Sequence, residues 1–225
     1  MIPRNTILAE ICGIHAGDGW LSSYNNEVGY GTSINEKQYF DYVFDLYKRV
    51  SNFSIFRILE RPGRNNTIEL RIQSKEVQKQ FISWGFPRGT KIEKLTIPNF
   101  IKNDERLEMC FLRGLMDTDG SVHWRKNYKK RYITISLATS SEKFTMEMKN
   151  MLIKLSYNPT VYSYQGKGNR RLAWKIQLQN MTDVSRYLKT IGFMNMKRWE
   201  PIFSGQGWKR YGPGEIRTPD LHRSH

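Results

Sequence analysis

The sequence predicts an α+β protein made of two pseudo-symmetric αββαββα halves packed through their first helices. Three observations carry that expectation: a doubled motif, the same order of elements after each copy, and alternating polarity in the strands between. The copies are "EICGIHAGDGWL" (10–21) and "FLRGLMDTDGSV" (111–122), which match Gly13 with Gly114, Asp18 with Asp119 and Gly19 with Gly120 at a constant offset of 101. Self-similarity at a fixed offset marks a repeated structural unit.

Local pattern supplies each element in turn. After the first copy, "WLSSY" and "EVGYGTS" read as strands, and "INEKQYFDYVFDLYKRV" as a helix with Phe40, Val43, Phe44, Tyr47 and Val50 at helical spacing. Ser33 and Glu36 form a capping-box pattern at its start. "FSIFRILER" and "TIELRIQ" are strands either side of the turn-rich "PGRNN", and "SKEVQKQFISWG" is a short helix ending at Gly85. The second half runs the same course. "SVHWR" and "RYITISLA" are strands, "SEKFTMEMKNMLIKLSY" is a helix with Phe144, Met148, Leu152 and Leu155 inward, "TVYSY" and "RLAWKIQLQ" are strands, and "MTDVSRYLKTIG" closes at Gly192. These readings divide the chain into repeats at 1–98 and 99–204, followed by a poorly ordered Gly- and Pro-containing tail at 205–225.

Composition narrows the function. Apolar residues make up 39% of the chain, an ordinary globular value, and no apolar run approaches a membrane span or a secretory signal. The expected location is therefore intracellular: cytoplasm, nucleoid or an organelle matrix, with no membrane partner. Neither Cys12 nor Cys110 belongs to a Cys-x-x-Cys pair, which disfavours a zinc ribbon or a disulfide framework. The 36 basic side chains against 21 acidic give a net charge of +15, of which residues 101–225 carry +12. A surplus of that size favours a polyanionic partner.

The doubled motif has its own chemistry. Residues four apart share a helix face, so Gly13 with Gly17, and Gly114 with Thr118, leave nearly bare faces on which two helices can pack backbone to backbone. Such packing brings Asp18 and Asp119 to the same end of the pair. Two carboxylates at the negative ends of helix dipoles are unfavourable unless a function offsets the cost. Mg²⁺, which prefers oxygen ligands and keeps waters and phosphate oxygens in its remaining positions, would do so. Paired metal ions can stabilise the attacking and leaving oxygens of phosphodiester hydrolysis.

At this point the residues carry a resemblance. "ICGIHAGDG" (11–19) and "LRGLMDTDG" (112–120) resemble the doubled signature of the LAGLIDADG homing endonucleases, and "WGFPRGTKIEKLTIP" and "IGFMNMKRWEP" resemble the way each half of that family ends. The resemblance covers about residues 5–203. It implies antiparallel sheets forming a DNA-binding saddle, and a monomer that cleaves both strands of a long asymmetric site. It also implies Mg²⁺ ions, with Mn²⁺ able to substitute, shared between DNA phosphates and the catalytic acids Asp18 and Asp119. Gly17 and Thr118 join those acids as expected metal ligands. The resemblance further implies a catalytic basic residue after each closing helix, here Lys197 and Lys91. The first copy departs from the pattern, with Ala16 where the second has Asp117 and His15 where it has Met116. Asp117 is accordingly expected to act as a cap or support, and His15 as a packed core histidine.

Strand alternation sorts the reading surface independently of any family. Ile68, Leu70 and Ile72 point one way, leaving Thr67, Glu69, Arg71 and Gln73 on the other face; the matching outward set in the second half is Arg171, Lys175, Gln177 and Gln179. Arg, Lys, Gln and Glu suit base edges in the major groove. Ser22, Tyr24, Arg57, His123, Arg125, Thr134 and Ser136 are further candidates, while the basic loops 125–131 and 165–171 suit phosphate contact. The tail residues Glu215 to Thr218 can be encoded as the reverse complement of a tRNA-gene T-loop consensus, which suits a mobile element such as an intron lodged there. Two rival functions fit the same scaffold: an RNA maturase acting on intron RNA, and a DNA-binding regulator that does not cut.

Overall fold

A computed structural model of the chain describes residues 4–50, 56–63, 66–91, 94–127, 130–165 and 172–204. The first half holds α1 (Arg4–Asp18), β1 (Gly19–Leu21), β2 (Glu27–Ser33), α2 (Lys37–Val50), β3 (Phe56–Arg61), β4 (Thr67–Gln73) and α3 (Lys75–Ser83). The second repeats it with α4 (Glu105–Thr118), β5 (Gly120–Asn127), β6 (Lys130–Thr139), α5 (Glu142–Lys154), β7 (Thr160–Gln165), β8 (Leu172–Leu178) and α6 (Met181–Thr190). A short α7 (Glu200–Ser204) and two 3₁₀ turns, Ile34–Glu36 and Met196–Arg198, complete the described chain. The sheets are antiparallel with the same order, β1-β2-β4-β3 and β5-β6-β8-β7. The doubled α+β architecture read from the sequence is the architecture observed. The predicted tail and Arg171 lie outside the described residues.

Helix ends follow local chemistry. Ser74 accepts from the Val77 N–H, Ser141 from Phe144, Asn180 from Asp183, and Asp104 from both Arg106 and Leu107, each occupying donors the first helical turn leaves open. Gly85 (φ +92°) and Gly192 (φ +61°) follow the ends of α3 and α6, in the left-handed conformation that stops a helix. One predicted cap differs. Ser33 accepts from the Asn35 N–H and opens a 3₁₀ turn, but the Glu36 carboxylate turns away from the helix start and meets the other half.

Each sheet presses its apolar side chains on its helices. Ile68, Leu70 and Ile72 are buried as the alternation requires, with Val28 and Tyr30 beside them; Ile133, Ile135, Leu137, Ile176 and Leu178 do the same in the second half. On α2, Phe40, Val43 and Tyr47 are buried with Leu46, whereas Phe44 and Val50 are only partly covered, because α2 lies at the outside of the fold. On α5, Phe144, Met148 and Leu152 are buried with Met151, and Leu155 packs at the margin.

The central joint is α1 against α4. A Cβ on Gly13 would run into the Phe111 carbonyl and the Leu115 nitrogen, and one on Gly114 into the Glu10 carbonyl and the Ile14 nitrogen. The helices therefore touch backbone to backbone, as the small-residue spacing predicts. Beside this contact Glu10 and Arg113, both essentially unexposed, form an ion pair across the halves, and Tyr42 donates to Glu10 at 2.6 Å. Burial of two charges is tolerable because they meet each other and a phenol in the same place.

Candidate active site

The helix joint ends at the two acids. A Cβ on Gly17 would lie 3.3 Å from the Asp119 carboxyl carbon and overlap the Thr118 hydroxyl, so glycine at this position lets Asp119 approach the end of α1. Thr118 donates its hydroxyl back to the carbonyls of Gly114 (3.1 Å) and Leu115 (3.0 Å), which keeps it within its own helix. Asp18 and Asp119 thus close matched helices side by side, each followed by the first strand of its sheet.

A cation grips each helix end. The Lys91 ammonium donates to the carbonyls of His15 (3.2 Å), Ala16 (3.0 Å) and Gly17, occupying acceptors that α1 leaves open. Arg198 does the equivalent for α4, donating to the carbonyls of Asp117 (3.1 Å) and Thr118. Lys91 therefore lies at the end of α1, close enough to feel the charge of both acids. Lys197 does not meet the acids: its ammonium pairs with Glu36 at 2.5 Å, and Arg198, which sequence reading missed, takes the place expected for it.

The electrostatics of the pair are those of a site short of positive charge. Burial, and next the neighbouring Asp119 charge, push Asp18 up to about 6, although Lys91 and Arg198 act against the rise. Burial raises Asp119 as well, with the same two cations opposing. Burial lowers Lys91, and both acids pull it back. A divalent cation between the carboxylates would relieve what Lys91 and Arg198 only reduce. The donor set fits such an ion through Asp18 and Asp119. Among the described residues no cluster of three or more His, Cys, Asp or Glu surrounds that position. The carbonyls of Gly17 and Thr118, expected as ligands, accept from Lys91 and Arg198 instead.

Asp117 is a support, as expected. Fully buried, it accepts from the Met194 N–H with both oxygens (3.1 and 3.0 Å) and from the Asn195 N–H (3.1 Å), tying the segment before Arg198 to α4. Burial raises it to about 7 even against those two backbone donors. His15 is the packed histidine expected, with ring centroids 4.4 Å from Phe81 and 4.8 Å from Phe86.

Beyond the acids, the predicted reading residues of β3 to β6 and β8 lie on the outer faces of the sheets, whereas Ser22 and Tyr24 fall in the turn between β1, which stops at Leu21, and β2, and Gln179 lies just past β8; three more are corrected. Thr134, Ser136 and Gln177 face outward by alternation yet are at most 4% exposed. They lie on the inner strands β6 and β8, where short or flat side chains are overshadowed by neighbours in register such as His123 opposite Thr134. Tyr24 (98% exposed), Arg57 and Gln73 are open, and Ser22, Glu69, Arg71, His123 and Lys175 are half-buried. Ser22 accepts from the backbone of Tyr24 and Asn25. Arg71 is held by Glu69 at 2.7 Å and Glu27 at 3.3 Å and lies over Trp20, whose ring covers Gly29. Arg125 donates to Gln179 at 2.8 Å. Most of the two basic loops lies outside the described residues.

Residues 106–192 match the LAGLIDADG-like domain family. The described residues have the LAGLIDADG fold: a variant of the homing endonuclease I-DmoI superposes with a TM-score of 0.58 at 15% identity, covering 84% of this chain and 93% of that one. I-DmoI in complex with DNA and Ca gives 0.58 at 16% identity over 85% and 94% of the two chains. The full-length DUF199/WhiA protein from Thermatoga maritima gives 0.57 at 17% identity, over 95% of this chain and 63% of that one. In sequence, the chain is 24% identical over 200 residues to the replication factor C small subunit of Methanocaldococcus jannaschii, and 25% identical over 209 residues to the tRNA-splicing ligase RtcB of Methanopyrus kandleri. Those matches cover 88% and 85% of this chain but 10% and 21% of the relatives, so the chain spans a small part of the curated proteins it matches. No helix among the described residues is long and apolar enough to cross a membrane.

Proposed function

We propose that the protein is a site-specific DNA endonuclease that makes a metal-dependent double-strand break in a long, asymmetric site. The observation that carries this reading is the acid pair, Asp18 and Asp119 at the ends of two backbone-packed helices, with Lys91 and Arg198 on the adjoining carbonyls. I-DmoI, which shares the fold, is a homing endonuclease with structures in complex with DNA and Ca or Mn.

Hydrolysis joins water oxygen to phosphorus, breaks one phosphorus–oxygen bond of the backbone and leaves the water proton on the departing oxygen. Asp18 and Asp119 would hold Mg²⁺ or Mn²⁺ against the scissile phosphates, and the ion would supply charge stabilisation to the attacking and leaving oxygens. Lys91 and Arg198 flank that position and oppose the charge that grows on the phosphoryl oxygens. The outer sheet faces bind double-stranded DNA, and their differing side chains, with arginines 57 and 71 in one half and His123 and Lys175 in the other, favour an asymmetric sequence. One chain supplies both acids, so it acts as a monomer, in whichever intracellular compartment holds its target.

The test is incubation of wild type and Asp119→Asn with a duplex enriched from a randomised pool by the wild-type protein, with Mg²⁺. Metal-dependent cutting of both strands, absent from the variant, supports the endonuclease. Sequence-selective binding with no cutting by wild type would sink it and leave a DNA-binding regulator; preference for structured RNA over duplex DNA would point to a maturase.

A further inference from the structure

Glu36 does not fill the capping role that its position suggests. It lies three residues after the helix-capping Ser33, yet its carboxylate, in a side chain only 12% exposed, accepts from Asn195 Nδ2 at 2.9 Å and Lys197 Nζ at 2.5 Å, and from the Thr32 hydroxyl at 3.1 Å. Asn195 and Lys197 belong to the other half, 159 and 161 residues away. Asn195 also donates to the Asp117 carbonyl at 3.1 Å, and its side-chain oxygen accepts from the Lys197 N–H. The turn Met196–Arg198 is thereby held from two directions, by Asp117 of its own half and by Glu36 of the other. The next residue in that turn is Arg198, the cation on the end of α4.

Among the described residues the second half shows no equivalent device. Three residues after its matching cap, Ser141, stands Phe144, an apolar side chain 1% exposed in the core. The support from this position is therefore one-sided: Glu36 of the first half steadies the basic turn of the second, whereas the matching place in the second half holds the apolar Phe144.

We propose that Glu36 is a positioning residue for one of two cutting events: it fixes the 195–198 turn, so that cleavage of the strand served by Arg198 depends on Glu36 while cleavage of the other strand does not. The inference rests on the endonuclease reading. Loss of Glu36 would then turn a double-strand cutter into an enzyme that nicks one strand and leaves the second cut behind. Displacing a charged group by about 1 Å can cost a factor of about 100 in rate, so the ratio of the two strand-cleavage rates should change by about tenfold or more.

The experiment follows each strand, differently end-labelled, of the enriched duplex with Mg²⁺ for wild type, Glu36→Gln and Glu36→Ala. Thermal unfolding shows whether each variant is folded. The expected result is a shift in the strand ratio for Glu36→Ala, accumulation of nicked product, and a smaller shift for Glu36→Gln, which keeps a bond to Asn195 but loses the charge facing Lys197. A structural role alone would slow both strands equally; an unchanged ratio in folded variants, with wild type cutting both strands, overturns the proposal and leaves the endonuclease reading intact. Should Glu36→Ala fail to fold, the ratio in Glu36→Gln decides, and no shift there overturns it. Wild type that cuts neither strand overturns both readings together.

Discussion

The two halves finish their central helices with the same acid but hold that end in place differently. Beneath Asp18 the support is apolar and aromatic: Ala16 fills the position of Asp117, and His15 is wedged between Phe81 and Phe86. Beneath Asp119 the support is a hydrogen-bonded carboxylate, Asp117, which ties down the segment after α6. On top of each, a cation occupies the helix carbonyls, Lys91 in one half and Arg198 in the other. The difference teaches which features the two ends hold in common. An acid and a cation at each helix end recur, while the scaffold below them is packed in one half and hydrogen-bonded in the other.

The sharpest way to break this comparison is at the acids. Asp18→Asn or Asp119→Asn should each lower metal-dependent cutting by about 1,000-fold or more, with binding to the enriched duplex in Ca²⁺ retained; unequal effects on cutting would show that the two ends are not equivalent. The shared joint comes next. Arg113→Met leaves Glu10 buried without its cation and should cost about 3–5 kcal/mol in denaturant unfolding. Gly114→Ala drives a methyl into the Glu10 carbonyl and should cost about 3 kcal/mol, the upper end for overpacking. Lys91→Met and Arg198→Met should each reduce cutting by about 100-fold, with opposite strand preferences in single-turnover assays.

The smallest expected effect is a slope with pH. Asp18 sits at about 6 in the folded protein against an ordinary 3.8, so between those values the folded state keeps a proton that the unfolded chain has released. Stability of the metal-free protein therefore carries a component that falls as pH rises through that window, and Asp18→Asn should remove it from thermal unfolding curves. Added Mg²⁺ should stabilise wild type more above pH 6 than below it, because the ion needs the ionised carboxylates.

Much of this was legible in the chain. The fixed offset of the repeat identified Asp18 and Asp119 together, and alternation assigned the buried face of β4 because period two leaves no ambiguity there. Lys91 could be placed through the family's wording. Arg198 could not: adjacent residues on a 3₁₀ turn point about 120° apart, and which of Lys197 and Arg198 faces α4 depends on the turn's attachment to Asp117 and Glu36. Glu36 itself looked like a local cap because the pattern Ser-x-x-Glu is local, whereas its partners lie in the other half. Thr134, Ser136 and Gln177 show the same limit in the sheet. Alternation gives the direction of a side chain but not the reach of its neighbours, which depends on register. The Glu10–Arg113 pair was hidden for a related reason, since it exists only once the crossing point of α1 and α4 is fixed.

That crossing point has a consequence for how such a protein can change. The spacing of Asp18 and Asp119 is set by main-chain atoms at Gly13 and Gly114, which carry no side chain to substitute by small steps, while the residues that face a ligand are spread over two separate sheets. A lineage can redraw its outer sheet faces one substitution at a time without moving the acid pair. The surface can drift while the joint stays still.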